Sequence, residues 1–221
     1  MKKVWNKIVE LVKAFFKNFV KTPLRLMSHP IQGYTEFKQD KVGKLSVAIG
    51  MVIIYALLVI VRYNANGIII NKNDPTKFNS IRLLIYTIMP LIILCVANWT
   101  ITTLLDGKGT MKMIFTMGGY CYFPLIFFGI INLILSNVLT SSEVQIITLL
   151  NFLGYFLMGY MIFMGLISIH EYGVAKAILT IILTIIATAV ILFIALLIFD
   201  LASQIYGFFY SLYKEIVSRY F

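Results

Sequence analysis

The sequence predicts an all-α membrane protein, a five-transmembrane-helix bundle with interfacial amphipathic helices at both termini. Three observations predict this class: a 221-residue composition that is 60% hydrophobic, five long apolar runs, and two terminal segments that divide into an apolar and a polar face. Soluble domains are only about 45–50% apolar. A water-soluble core therefore does not account for this composition.

Five apolar runs are long enough to cross a bilayer, since a span needs about 17–25 residues. They cover residues 45–61, 83–105, 114–135, 144–169 and 174–199. Only His170-Glu171-Tyr172-Gly173 separates the last two runs. We therefore assign residues 45–200 to a five-helix transmembrane domain.

Residues 1–22 are predicted to form a basic amphipathic helix that lies in the membrane interface. At 100° per residue, aromatic and aliphatic side chains occupy one half of the helical circle and lysines the other. This division is typical of a helix in the interface plane, although an ordinary helix packed on the protein's own core also shows it. The predicted membrane-surface contacts are Trp5, Phe15, Lys3, Lys7, Lys13, Lys17 and Lys21.

Lysines interrupt the N-terminal apolar run, so we expect no secretory signal and a retained N-terminus.

Two further segments flank the spans. Pro23 is expected to end the first helix, and residues 23–44 to form a cytoplasmic linker with a short helix. Residues 201–221 place aromatic and aliphatic side chains on one face, which predicts a C-terminal interfacial helix. Pro90 and Pro124 are expected to kink the second and third spans.

The charge distribution predicts a cytoplasmic N-terminus and an anionic-lipid partner. Residues 1–44 carry ten Lys or Arg against three Asp or Glu, a net charge of +7 out of +10 for the whole chain. Nucleic acid would also attract such a segment, but beside a membrane span the anionic inner leaflet is nearer. We therefore expect lipid and no nucleic acid. With the N-terminus inside, thirteen basic residues lie on the inner side and six on the outer side, as the positive-inside rule requires.

The segment Asp106-Gly107-Lys108-Gly109-Thr110 has two interpretations, a phosphate-binding loop or a turn between spans. A phosphate loop requires a glycine five residues before Gly-Lys and a Ser or Thr after the lysine. Thr102 and Gly109 occupy those two positions. The sequence favours the turn, and we expect no bound cofactor.

The remaining polar residues do not form a catalytic pattern. No Asp, Glu, Lys, Arg or His lies in the middle of a run, which argues against an ion-driven transporter but not against a passive pathway. The sequence has no Ser-His-acid, His-Glu-x-x-His or two-metal pattern, so we expect no enzyme. Cys95 and Cys121 are expected to be buried thiols. Neutral polar groups inside the runs are expected to bond between helices, with ligand binding as the alternative: Asn98, Asn132, Gln145, Asn151, Thr180, Thr184 and Thr188.

Four side chains form a candidate cytoplasmic-face cluster: His29, Asp106, His170 and Glu171 all fall on the predicted inner side. Each can instead cap a helix end or remain solvated. If they converge, carboxylates would raise the proton affinity of a histidine and create a pH-sensitive latch. A divalent metal is a third interpretation, which requires that all four point at one place.

Four segments in order resemble a bacterial Yip1-domain protein: SHPIQGYTEFK, NWTITTLLDGKGTMK, GGYCYFPLI and IHEYGVAKAILTIIL. The resemblance implies five transmembrane helices and an inner N-terminus. Eukaryotic members act in vesicle transport between endoplasmic reticulum and Golgi through Rab GTPases. This chain has no long acidic or aromatic cytosolic tail, so we do not carry Rab binding over.

The sequence and the resemblance together predict a non-enzymatic membrane scaffold of the Yip1 type in the bacterial plasma membrane. It would organise lipids, copies of itself or other membrane proteins. The alternative is a permease-like component that moves a small or amphipathic solute between kinked helices.

Overall fold

A computed structural model describes residues 2–39 and 42–220, and every regular element in these ranges is helical. Five helical segments are long and apolar enough to span a membrane. The five-helix all-α prediction is therefore confirmed. The α-helices are α1 (Lys2–Phe16), α2 (Thr22–Ser28), α3 (Pro30–Gln39), α4 (Leu45–Ala65), α5 (Ser80–Leu104), α6 (Met111–Tyr120), α7 (Phe123–Ser136), α8 (Val144–His170) and α9 (Val174–Tyr220).

The spans alternate in direction because short loops join them. α4, α5, the α6–α7 pair, α8 and α9 are the five candidate spans. We call the end that carries residues 105–110 and 171–173 the proximal end. The opposite end, with residues 66–79 and 137–143, is the distal end.

Local chemistry fixes where the spans begin and end. At α5, Asn79 Oδ1 accepts the Arg82 N–H at 3.0 Å, and at α6 Thr110 Oγ1 accepts the Met113 N–H at 3.3 Å. These are N-caps that satisfy donors of the first helical turn. α8 ends where Glu171 adopts the left-handed conformation, with φ of 57°, and the Tyr172 N–H donates back to Ile167 O.

The third span was predicted to kink at Pro124, but it is divided into two helices just before this proline. α6 ends at Tyr120, Cys121 and Tyr122 form a turn, and Pro124 lies in the first turn of α7. Proline is favoured there because its missing N–H would have no intrahelical partner.

The predicted helix end at Pro23 is wrong. A π-helical segment, Lys17–Lys21, links α1 to α2, so the helical path continues to Ser28. The Thr22 N–H donates to Lys17 O, five residues back. This wider turn places Pro23 at the start of α2, where a proline is tolerated.

Residues 23–44 are not a simple linker, because α2 and α3 form a hairpin packed against the bundle. Leu26 and Tyr34 are almost completely buried. An ion pair between Arg25 and Glu36, 2.5 Å apart, joins the two helices of the hairpin. Tyr34 Oη donates to Met161 O at 3.0 Å, about 14 Å along α8 from its proximal end.

The separate C-terminal helix predicted for residues 201–221 is also wrong. α9 continues without a break to Tyr220, and its 47 residues give a length of about 70 Å. No proline interrupts it, and its single late glycine, Gly207, does not end it. The helix is more than twice as long as the roughly 30 Å hydrocarbon core, and most of its surface is exposed.

Candidate functional site

Polar groups meet at the proximal end, where Glu171 joins three elements. Its Oε1 lies 2.6 Å from Lys38 Nζ of α3, and its Oε2 pairs with Lys108 of the loop between α5 and α6. Lys38 Nζ also donates to Ile169 O at 3.1 Å. We call Lys38, Lys108, His170, Glu171 and Tyr172 the proximal cluster.

The two lysines keep Glu171 charged. Hydrogen bonds from Lys108 and Lys38 lower the pKa of the Glu171 carboxyl to about 2. The side chain is half exposed, so water and salt screen both ion pairs. The cluster therefore holds the elements in register more than it stabilises the fold.

His170 fills the loop between α5 and α6. The imidazole is buried, and its Nδ1 accepts the Gly109 N–H at 3.2 Å. A Cβ added at Gly107 would lie 2.5 Å from Nδ1, and one added at Gly109 would lie 2.6 Å from Cε1. The two glycines are therefore required so that the loop can close over the ring.

Tyr172 completes this packing. Its ring stacks on the His170 ring with centroids 5.2 Å apart. Lys176 Nζ also lies 4.6 Å from the centroid of the Tyr172 ring. Its hydroxyl donates to Leu105 O at 3.1 Å. Since Gly109 donates its N–H to His170, the Asp106–Thr110 segment is a packed turn, in agreement with the favoured sequence interpretation.

The proximal cluster includes two of the four predicted inner-face residues and lies beside a third. Asp106 lies beside the cluster, because the Tyr172 hydroxyl donates to the carbonyl of the preceding residue, Leu105, at 3.1 Å. Burial and the negative charge of Asp106 raise the pKa of Tyr172. His29 is at the other end of α3 from Lys38, about 14 Å along the helix, and its Nδ1 is 3.0 Å from Ser28 Oγ. A latch or metal site built from all four residues stays a prediction. Within residues 2–39 and 42–220, no three His, Cys, Asp or Glu side chains are grouped so that they could hold a metal ion.

The predicted membrane-contact residues lie on α1 and the π segment. Trp5 is 66% exposed and Phe15 56% exposed, although both are large and apolar. Lys13, Lys17 and Lys21 are exposed as well. Lys3 and Lys7 have side chains outside the described set.

Aromatic contacts connect this helix to the bundle. The Phe15 and Phe19 rings stack with centroids 4.4 Å apart. A Cβ added at Gly50 of α4 would lie 2.8 Å from Phe19 Cζ, so the ring packs in the space that this glycine leaves. The helix is therefore anchored at Phe19, while its N-terminal aromatic side chains remain exposed.

A comparison with protein families finds that the Yip1 domain matches residues 24–213. The chain belongs to the Yip1 family. The comparisons with curated proteins and with solved structures give no match. The matched range begins inside α2 and ends inside α9, so it covers the first four spans and most of the α2–α3 hairpin. The hairpin is therefore largely part of the Yip1 domain. α1 precedes the matched range.

Three members of the proximal cluster were not selected from the sequence: Lys38, Lys108 and Tyr172. Lys38 and Lys108 were counted only as inner-side charges. Their pairing with Glu171 depends on how α3 and the loop between α5 and α6 pack at the end of α8. One signal was present: Glu171 and both lysines lay on the same predicted side of the membrane.

Neutral polar groups within the Yip1 domain mostly bond between or along helices. Asn98 Nδ2 donates to Thr184 Oγ1 at 3.1 Å, which links α5 to α9. The hydroxyls of Thr180, Thr184 and Thr188 each donate to the carbonyl four residues earlier. Asn98 and Thr184 also line an apolar cavity of about 230 Å³ between α5, α6, α8 and α9, close to Pro90.

Proposed function

We propose that this Yip1-family protein is a non-enzymatic membrane scaffold that organises lipids or partner membrane proteins. We place it in the bacterial plasma membrane with a cytoplasmic N-terminus. The observation that carries the proposal is the helix from α1 through the π segment, with large apolar side chains exposed on one side and lysines on the other. A protein surface in water would not leave Trp5, Phe15 and Phe16 each more than half exposed without a partner.

The bilayer interface accounts for both sides of this helix. Aromatic side chains favour the boundary between acyl chains and headgroups, and lysines favour anionic headgroups. Each lysine near an anionic surface contributes about 1 kcal/mol. The three described lysines, Lys13, Lys17 and Lys21, are exposed and make no ion pair within the described residues.

The α2–α3 hairpin transmits this lipid contact to the bundle. α2 continues directly from the lysine-bearing segment, while α3 is bonded to α8 through Tyr34 and Lys38. A lipid-bound N-terminal helix is thereby coupled to the helices of the Yip1 domain. This coupling supports a role in which the protein positions membrane components.

The proximal cluster supports a structural role over a catalytic one. Hydrogen bonds of His170, Glu171 and Tyr172 close the loop between α5 and α6 and attach α3 to the bundle.

α9 offers a second large surface to partner proteins or further copies of the chain, because it is exposed over most of its 47 residues.

Two measurements on the full-length protein test the proposal. Purification from the native membrane in a mild detergent should recover a stable membrane-protein complex or homo-oligomer. Reconstituted vesicles should show no protein-dependent solute flux. Protein-dependent flux with no co-purifying partner would instead favour the permease-like alternative, for which the cavity beside Asn98 is the natural pathway.

A further inference from the structure

The cavity of about 230 Å³ between α5, α6, α8 and α9 has the shape of a slot along the spans. We call it the Asn98 cavity. Its α5 wall extends from Pro90 to Asn98, and its α8 wall extends from Met158 to Leu166. At about 1.5 Å of rise per residue, each wall is about 12 Å long. Asn98 and Leu166 lie at the end of the cavity that is nearer to the proximal cluster.

The residues that line the Asn98 cavity are uncharged and mostly apolar. Aliphatic and sulfur-containing side chains form most of the wall, and the polar members are Asn98, Tyr122 and Thr184. The Tyr122 hydroxyl is already engaged, because it donates to Thr87 O at 3.3 Å. A charged headgroup would lose its hydration here without gaining a counter-ion. The cavity therefore suits a neutral ligand that is largely apolar.

One hydrogen-bond acceptor at this cavity is unused. Asn98 is 6% exposed, and its Oδ1 is buried and has no partner among the described residues. Its Nδ2 donates to Thr184 Oγ1 at 3.1 Å, while the Thr184 hydroxyl donates to Thr180 O at 2.7 Å. Because the Thr184 proton is used in this way, its oxygen can only accept from Asn98, and Oδ1 must be the free end of the amide. An unpaired buried acceptor is costly, so a ligand with one donor would be favoured.

The cavity opens sideways toward the bilayer, between α5 and α9. Leu94 of α5 is 40% exposed and Ile185 of α9 is 60% exposed, and both side chains also line the cavity. Each lies well inside a candidate span. Asn98 is about 9 Å from the proximal end of α5. A ligand can therefore enter from the lipid with its polar end in the proximal half of the membrane.

We propose that the Asn98 cavity binds a neutral lipid-derived alcohol, an aliphatic chain that carries a hydroxyl group. The hydroxyl donates to Asn98 Oδ1, and the chain extends along the cavity toward Pro90. Since an apolar cavity of about 150 Å³ holds benzene, this one has room for about nine carbon atoms. A longer chain would continue into the bilayer between Leu94 and Ile185. The site goes beyond the scaffold proposal, because it involves neither α1 nor solute flux.

Photolabelling of the full-length protein in phosphatidylcholine nanodiscs tests this site. The probe is a diazirine derivative of octanol, and mass spectrometry identifies the labelled residues. The competitors are nonanol and methyl octyl ether, which are isomers, but the ether has no hydroxyl donor. Their concentrations are compared as amounts dissolved in the bilayer.

One variant removes the acceptor and another serves as its control. Asn98→Leu replaces the amide by an apolar side chain of similar size. Thr188→Val removes a hydroxyl that bonds to Thr184 O one turn further along α9 and does not line the cavity. Thr188→Val should therefore behave as wild type.

In wild type and Thr188→Val, the label should fall on residues of the Asn98 cavity. Nonanol should displace it at about a fivefold lower concentration than the ether, which corresponds to one hydrogen bond. In Asn98→Leu, the two competitors should act at the same concentration. If Asn98→Leu does not fold, the comparison of the two isomers on wild type decides alone.

Three results would overturn the proposal. The first is a label outside the cavity, and the second is equal competition by the two isomers on wild type. The third is a preference for nonanol that persists in Asn98→Leu or is lost in Thr188→Val, since the preference would then not depend on Asn98 alone. None of these results bears on the scaffold proposal, which is tested by purification and flux.

Discussion

Lys38 Nζ and Glu171 Oε1 lie 2.6 Å apart, so an ion pair fixes the proximal end of α3 to the end of α8. Glu171 also pairs with Lys108, which adds the loop between α5 and α6. One carboxylate thereby connects the N-terminal hairpin to two inter-helix connections of the Yip1 domain.

Glu171→Gln should make the unfolding temperature less sensitive to a fall in pH. The folded-state pKa of Glu171 is about 2, below its ordinary value of 4.5. A lowered carboxylate pKa contributes stability that is complete above the unfolded value and is lost as pH falls through the folded value. Between pH 5 and pH 2, the unfolding temperature of wild type should therefore fall more steeply than that of the variant.

Salt and a second variant control this measurement. Because Glu171 is half exposed, added salt should reduce the difference between wild type and Glu171→Gln. Glu215→Gln, which removes one negative charge from an exposed pair on α9, should keep the wild-type slope. Identical acid profiles for wild type and Glu171→Gln would refute the role of the ion pairs.

Gly107→Ala should destabilise the protein by about 1–3 kcal/mol, the usual cost of overpacking. The added methyl group would lie 2.5 Å from His170 Nδ1 and 2.6 Å from Tyr172 Oη. Gly173→Ala is the matched control at the same end, because nothing lies within 4 Å of its added Cβ. Equal unfolding free energies for the two variants in mixed-micelle denaturation would contradict the packing of the loop around His170.

Tyr34→Phe should cost about 0.5–1.5 kcal/mol, the net value of one hydrogen bond. Tyr34 is fully buried, burial raises the pKa of its hydroxyl, and that hydroxyl donates to Met161 O. Tyr206→Phe on exposed α9 should change the unfolding free energy by less than about 0.5 kcal/mol. An unchanged free energy of unfolding for Tyr34→Phe would show that the hairpin is held without this hydrogen bond.

A peptide of residues 2–21 should become helical on anionic vesicles and dissociate at high salt. Replacing Lys13, Lys17 or Lys21 by Gln should weaken binding about fivefold for each lysine, since each contributes about 1 kcal/mol. Circular dichroism with vesicles of graded anionic content measures this. Lys13→Arg is the charge-conserving control, and equal binding to neutral and anionic vesicles would reject the electrostatic part.

The spans were predictable because bilayer thickness imposes a minimum length on each apolar run. The N-caps at Asn79 and Thr110 were not predicted, although Asn and Thr are residue types that favour this position. The hairpin was not, because its buried residues, Leu26 and Tyr34, are scattered in a polar segment and become core only through packing on α8.

The errors at Pro23 and in α9 have different physical causes. The π segment supplies a wider turn that accommodates Pro23, and no local pattern signals such a turn. In α9, the sequence changes from apolar on all sides to amphipathic, and this change was interpreted as the start of a separate helix. The backbone has no proline there and continues as one helix. The hydrogen bonds that join Arg62, Asn151 and Asn132 were missed because these residues come from three helices that are far apart in sequence.

The orientation of the chain is decisive for the proposed scaffold, because anchoring on the inner leaflet requires α1 and the proximal end to be cytoplasmic. Asn71→Cys in the distal loop and Gly173→Cys at the proximal end can be probed in intact cells with an impermeant maleimide. The native Cys95 and Cys121 are buried and give the background. We predict that Asn71→Cys reacts from outside and that Gly173→Cys reacts only after permeabilisation. Labelling of Gly173→Cys but not Asn71→Cys in intact cells would show the opposite orientation and rule out anchoring of α1 on the inner leaflet.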